Sequence, residues 1–243
     1  MNVIKLDAID STNDFLKKLS QNETLENLTI VTAKSQTNGK GQMGEKWISE
    51  PYKNLIMSIL VKDLLLDINA IFNLNVAVAL SVIEILESLK IPNLAIKWPN
   101  DIVAENKKIG GILIENLIKS NGTIESVVGI GLNVNQINFG NLPKASSIKC
   151  ILNKDFDLDE ILMKIIDELK STLLDLKNEN SDFLWKKYND KIFKIGIPMP
   201  FEDANKKRFM GIIQEVKKNG QLELLLEDES LKCFQIKEIQ MLY

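Results

Sequence analysis

From Ile68 to Leu89 the chain places apolar residues almost all the way round a helix, and this stretch limits the architecture more than any other. A helix without a polar face must be covered on every side, so it belongs at the centre of a fold in which sheets pack against it. Its longest charge-free run, Ile68 to Ile83, includes Asn69, Asn73 and Asn75. That falls short of the roughly 20 apolar residues a bilayer span needs, so a buried core helix is expected and no membrane partner. At 243 residues, 45% hydrophobic and 26% charged, there is material for one large core or for a core with a small satellite.

The residue inventory removes several chemistries. There is no histidine, which excludes a Ser-His-Asp triad, a Cys-His pair and any histidine-ligated metal. Cys150 and Cys233 form no C-x-x-C pattern and no disulfide framework, which points to a reducing cytoplasm. With 30 basic against 33 acidic residues there is no basic excess, and nucleic acid is not expected as a partner. The opening MNVIKLDAIDSTND lacks the basic head and apolar run of a signal peptide. Arg208 is the sole arginine, which leaves anion recognition to lysines and backbone N–H groups.

Periodicity gives the order of elements. NVIKL reads as a strand, and Ser11-Thr12-Asn13-Asp14 caps a helix that starts near Phe15. Thr29–Ala33 and Leu55–Val61 read as strands flanking a polar, glycine-punctuated connection from Lys34 to Lys53, long enough to imply a binding role. Leu94–Trp98, Asp101–Ala104, Lys108–Ile114 and Glu125–Val134 read as consecutive antiparallel strands, followed by helices over Asp157–Leu176 and around Phe183–Tyr188. Gly196-Ile197-Pro198-Met199-Pro200 marks a boundary. Beyond it, Arg208–Val216, Gln221–Glu227 and Lys232–Ile236 suggest a small β-barrel, hence two units, 1–195 and 196–243.

Four segments could carry chemistry. In Gln36–Trp47 three glycines let the backbone approach a ligand, with Lys40 adding charge; the spacing matches neither a P-loop nor a Rossmann turn, and a plain flexible hairpin is the competing reading. Lys97-Trp98-Pro99-Asn100-Asp101 presents polar groups at a proline-stiffened strand end, or is simply a tight turn. In Lys107–Glu115, period two puts Lys108, Gly110, Ile112 and Ile114 on one face, a lysine over a glycine floor. In Val127–Asn135 it puts Gly129, Gly131, Asn133 and Asn135 opposite the apolar positions, a shallow trough with two carboxamides at its end.

Together, IDSTN, the glycine-rich loop ending in Trp47, KWPND, KKIGGILIE and GIGLNVN resemble the biotin protein ligase family in order and spacing over nearly the whole chain. The resemblance implies an α/β fold of α+β type: a mixed, largely antiparallel sheet packed by helices, like that of class II synthetases, plus a C-terminal SH3-like barrel. It implies ATP-dependent activation of biotin, with Mg²⁺, to biotinyl-5′-adenylate and transfer to one lysine of a biotin carboxyl carrier protein. Carried over by position, Ser11, Thr12, Asn13 and Gln36 would hold biotin's polar ring, with Gly39, Lys40, Gly41 and Gln42 in the loop that closes over it. Lys108, above Gly110 and Gly111, would meet the carboxylate and the reacting phosphate. Trp47, Lys97, Asn100 and Asn133 would contact the nucleotide, and Asp101 would orient or deprotonate the acceptor lysine. No resident metal ligands are implied.

The family loop reads Gly-Arg-Gly-Arg-x-Gly-Arg, whereas Lys40, Gln42 and Glu45 stand at the arginine positions here. Less charge then holds the adenylate. The pattern begins by residue 7, so a short form lacking the DNA-binding domain is expected. A lipoate or octanoate ligase and a non-catalytic biotin sensor are the alternatives. The quaternary state is left as monomer or homodimer.

Overall fold

The computed structural model describes residues 2–62, 64, 71–119, 122–177 and 181–243. A seven-stranded mixed sheet is built from β1 (Val3–Leu6), β2 (Ile30–Ala33), β3 (Leu55–Val61), β4 (Ala95–Lys97), β5 (Asp101–Ala104), β6 (Lys107–Ile118) and β7 (Ile124–Leu132), in the order β1-β2-β3-β7-β6-β5-β4. Only β1 and β2 pair in parallel. All seven residues of β3 are buried, because the strand is central and covered on both faces; its unbroken apolar run reflects that position.

Helix α1 (Thr12–Asn22) lies over β2, β3 and β7, its N-terminus capped by the Ser11 hydroxyl. On the opposite face sit α2 (Ile71–Ser88), α4 (Leu158–Lys177) and α5 (Ser181–Asp190), with the short α3 (Ile148–Leu152) coming just before α4 in the chain. Leu74 through Ile83 of α2 are buried without a break, as expected of a helix apolar all round. The asparagines that interrupt its apolar run have partners: Asn73 accepts from the Trp185 indole (2.8 Å) and Asn75 donates to the Pro99 carbonyl (3.1 Å). Ile68, Asn69 and Ala70, read as the start of this helix, lie outside the described residues.

A second, antiparallel sheet follows: β8 (Pro198–Asp203), β9 (Arg208–Val216), β10 (Leu222–Leu226), β11 (Leu231–Phe234) and β12 (Ile239–Met241), ordered β11-β10-β9-β8-β12. The proline pair read as a boundary is part of β8. Pro198 and Pro200 are tolerated there because β12 pairs only with Phe201, Glu202 and Asp203, beyond both prolines. This sheet does not stand apart from the first. Phe201, Ile213, Val216, Leu222 and Leu224 belong to the same apolar core as α2 and β3. Trp98 donates its indole N–H to the Gly220 carbonyl (2.9 Å), and Asn189 exchanges two hydrogen bonds with the Val216 backbone.

Candidate active site

Most of the expected site residues converge on one cleft of about 420 Å³, on the α1 face of the large sheet. One end is polar. Ile9 and Asp10 pair with Ser35–Asn38 as a continuation of β1 and β2, which sets Gln36 beside the start of α1. Gln36 Oε1 accepts from the Thr12 N–H (2.7 Å) and hydroxyl (3.1 Å), so Thr12 does not line the cleft but fixes the side chain that does. Asn13 Oδ1 accepts from Ser58, and its Nδ2 donates to Glu115 Oε2 (2.9 Å). Glu115 also pairs with Lys17 (2.6 Å). A Cβ at Gly129 would collide with the Asn13 carboxamide, which explains the glycine.

The glycine-rich segment forms a closed hairpin. Trp47 donates its N–H to Gly39 O (2.9 Å), Gly41 donates to Glu45 O (2.7 Å), and Gln42–Gly44 make the turn. Gly39 packs so tightly under Trp47 and Gln36 that a side chain there has no room. The Trp47 ring lies in the trough over β7: a Cβ on Gly131 would be 2.5 Å from Cε2. Its indole N–H is buried and has no hydrogen-bond partner among the described residues. From the hairpin, the Lys40 side chain reaches Asp14 of α1 (2.6 Å). Asp14 is partly buried, which alone would raise its pKa; hydrogen bonds from Lys40 and Lys17 outweigh that and hold the carboxyl below its usual range.

At the other end Lys108 pairs with Asp101 Oδ1 (2.6 Å) and stands 5.8 Å from the Trp47 ring centre. The glycine beneath it is Gly111, whose Cβ position is 3.6 Å from Nζ. Strict alternation had put Gly110 there. A bulge between Ile102 and Val103 sets Val103 against Lys108 and Ile102 against Gly110, reversing the parity of β6, so Gly110 faces Leu132 and Ile102 on the core side. Asn100 lines the cleft and is clamped to β6 through Ile112 (2.7 and 3.0 Å). Lys97 lies behind Asp101 (3.7 Å), outside the main cleft and under the Tyr243 ring. Burial pushes the Lys97 ammonium below the ordinary lysine range, with Asp101 pulling the other way.

Asn133 and Asn135 do not end the trough. β7 stops at Leu132; Asn133 is buried and donates to Ser146 O (3.0 Å), and Asn135 braces Phe156, so both hold loops together. Asn133 is thus tied to the neighbouring loop and is not among the residues that line the cleft. Conversely, Ser58, Lys17 and Glu115 support the polar end and were not anticipated. The same holds for Lys237 and Gln240, which line the cleft from the second sheet. Glu115 closes the KKIGGILIE run and could have been found from it; nothing marked the others.

Residues 6–135, more than half the chain, match the model of the biotin/lipoate A/B protein ligase family, and the chain belongs to that family. The biotin protein ligase of Aquifex aeolicus, solved in complex with biotin and ATP, superposes with a TM-score of 0.82 at 28% identity, covering 99% of this chain and 98% of that one. The biotin–[acetyl-CoA-carboxylase] ligase of Mycobacterium tuberculosis is 27% identical over 216 residues, 87% of this chain and 79% of its own. The bifunctional ligase/repressor BirA of Bacillus spizizenii is 36% identical over 135 residues, and the match spans only 41% of that relative's length.

Proposed function

We propose that the protein uses ATP to convert biotin to biotinyl-5′-adenylate and then transfers the biotinyl group to a lysine of a biotin carboxyl carrier protein. The observation that carries this reading is the single cleft joining the Ser11–Asn13–Gln36 end to the Lys108–Asp101 end. The polar end suits a ureido ring, which offers donors and acceptors to the buried Asn13 and half-buried Gln36 carboxamides. Lys108 then stands where a carboxylate attacking an α-phosphate gains negative charge. The unpartnered Trp47 N–H is a donor that an acceptor in the cleft would satisfy. In the second step Asp101, held between Lys108 and Lys97, orients the incoming amine. Among the described residues no cluster of three or more Cys, Asp or Glu stands together, so Mg²⁺ accompanying ATP would be held through phosphate oxygens. Residues 1–195 are the catalytic unit and 196–243 the small barrel in this reading. A cytoplasmic location fits the thiol usage.

Because the family covers lipoate as well as biotin, the acid is the point to test. A dithiolane offers no hydrogen bond to the polar side chains of Ser11, Asn13 and Gln36 that line this end, which favours biotin. Incubating an acceptor domain with the protein, biotin and MgATP should add one biotinyl mass to one lysine. Lipoate should fail to compete in ATP–pyrophosphate exchange. An unmodified acceptor with no exchange refutes ligase activity and leaves a biotin sensor; efficient competition by lipoate reassigns the substrate.

A further inference from the structure

The cleft is poor in free positive charge for a site that would take a nucleoside triphosphate. Lys40 is committed to Asp14 and Lys108 to Asp101, each at 2.6 Å. The loop contributes an uncharged Gln42 and an acidic Glu45 to the lining. Two lining lysines, Lys46 and Lys237, carry no ion pair among the described residues. Lys237 is the one supplied by the second sheet, from the turn between β11 and β12.

That turn is fixed from several sides. Gln235 donates its N–H to Glu238 Oε2 (2.7 Å), Glu238 donates back to Gln235 O (3.1 Å), and Ala204 donates to Glu238 O (3.2 Å). Buried Ile239 anchors its far end against Asp203. Lys237 itself has φ +78°, the left-handed region where glycine is the unstrained choice. The turn holds a cationic side chain where glycine would serve better for the backbone alone, at the rim of the cleft. Lys237 and Gln240 also line a smaller neighbouring cleft with Lys97, Trp98 and Pro99, which locates the turn at the Pro99–Asp101 end.

We propose that Lys237 is the cation that receives the phosphate chain of the nucleotide, and hence the departing pyrophosphate, replacing charge that the glycine-rich loop lacks. The inference rests on the proposed adenylation. As a carboxylate oxygen of biotin bonds to the α-phosphorus, the bond from that phosphorus to the bridging oxygen breaks and its electron pair leaves on pyrophosphate. Lys237 neutralises part of that charge and takes up no proton.

The test compares Lys237→Ala, Lys237→Gly and Lys237→Arg with the parent. Adenylate formation is measured with ATP and biotin varied separately, and binding of magnesium pyrophosphate by calorimetry. The Ala and Gly variants should raise the KM for ATP and the Kd for pyrophosphate about tenfold, with the KM for biotin within about twofold, and Arg should restore most of the loss. Lys237→Gly, relieved of the left-handed strain, should unfold no lower than the parent, so its loss is not one of folding. Unchanged ATP and pyrophosphate constants in both variants, with the parent forming adenylate, overturn the role of Lys237 alone. A parent that forms no adenylate overturns the proposed function and this inference with it.

Discussion

Gly131→Ala puts the site geometry under the sharpest strain. The added methyl would sit 2.5 Å from Trp47 Cε2, 2.7 Å from Cζ2 and 3.0 Å from Cδ2. Carbon atoms prefer a separation of about 3.5–4.0 Å, so the ring must give by roughly 1 Å. It cannot do so freely, since Trp47 is tied to Gly39 through its backbone. Overpacking of this kind costs about 1–3 kcal/mol if the ring stays. If the ring leaves, the hairpin opens. A displacement of about 1 Å in a catalytic cleft can lower the rate by about a hundredfold. Adenylate formation should therefore fall by about that factor, with a few degrees lost in Tm. Gly111→Ala, directly opposite in register, is the control: its nearest neighbours would be 3.5 and 3.6 Å away, ordinary contact, and it should fold as stably as the parent. Parent-like activity and Tm in Gly131→Ala would refute the placement of Trp47 in the trough.

Lys108→Ala should leave the fold intact and slow adenylate formation about a hundredfold, the usual cost of removing one pre-placed charge at a developing oxyanion; parent rates would make Lys108 a structural partner of Asp101 only. Gln42→Arg should lengthen adenylate residence about tenfold and reduce labelling of proteins that lack an acceptor domain, measured by mass spectrometry, and equal labelling would exclude a leaky loop. Asp14 has a folded pKa below its ordinary value of 3.8, so its contribution, under about 1 kcal/mol for so exposed a pair, is full above that value and lost as pH falls through the folded one. Unfolding curves of the parent and Asp14→Asn should converge at the acid end and differ near neutrality; a constant gap would contradict this. Truncation after Ile197 should give an insoluble protein, because the cores of the two sheets are one; a soluble monomeric fragment would show they are separable.

Much of the scaffold was legible because burial and periodicity agree: β3, β9 and α2 are marked by runs whose apolar pattern suits their surroundings. What escaped had no local signature. The parity of β6 depends on a bulge that arises from pairing with β5, and nothing in Lys107–Glu115 announces it. β8 was hidden by two prolines, whose cost depends on where β12 begins to pair. The site's motifs were visible, yet the sequence could not show that Thr12 acts through Gln36, that Asn133 braces Ser146, or that a turn more than a hundred residues beyond Asp101 completes the rim.

The shared core of the two sheets also bears on how the molecule stores and releases stability. With Trp98 bonded to Gly220 and Phe201 packed in the core that surrounds α2, the second sheet has no interior apart from that core, although the large sheet keeps a smaller cluster of Leu16, Val31, Leu60 and Val127 under α1. Melting should then be a single cooperative event. Whatever occupies the cleft stabilises every strand equally by mass action, including strands it never touches. A saturating ligand of the cleft would accordingly protect the amides of β10 from exchange as strongly as those of β7, and a weakened apolar residue deep in the second sheet would be felt at the cleft as a lower population of the state that binds.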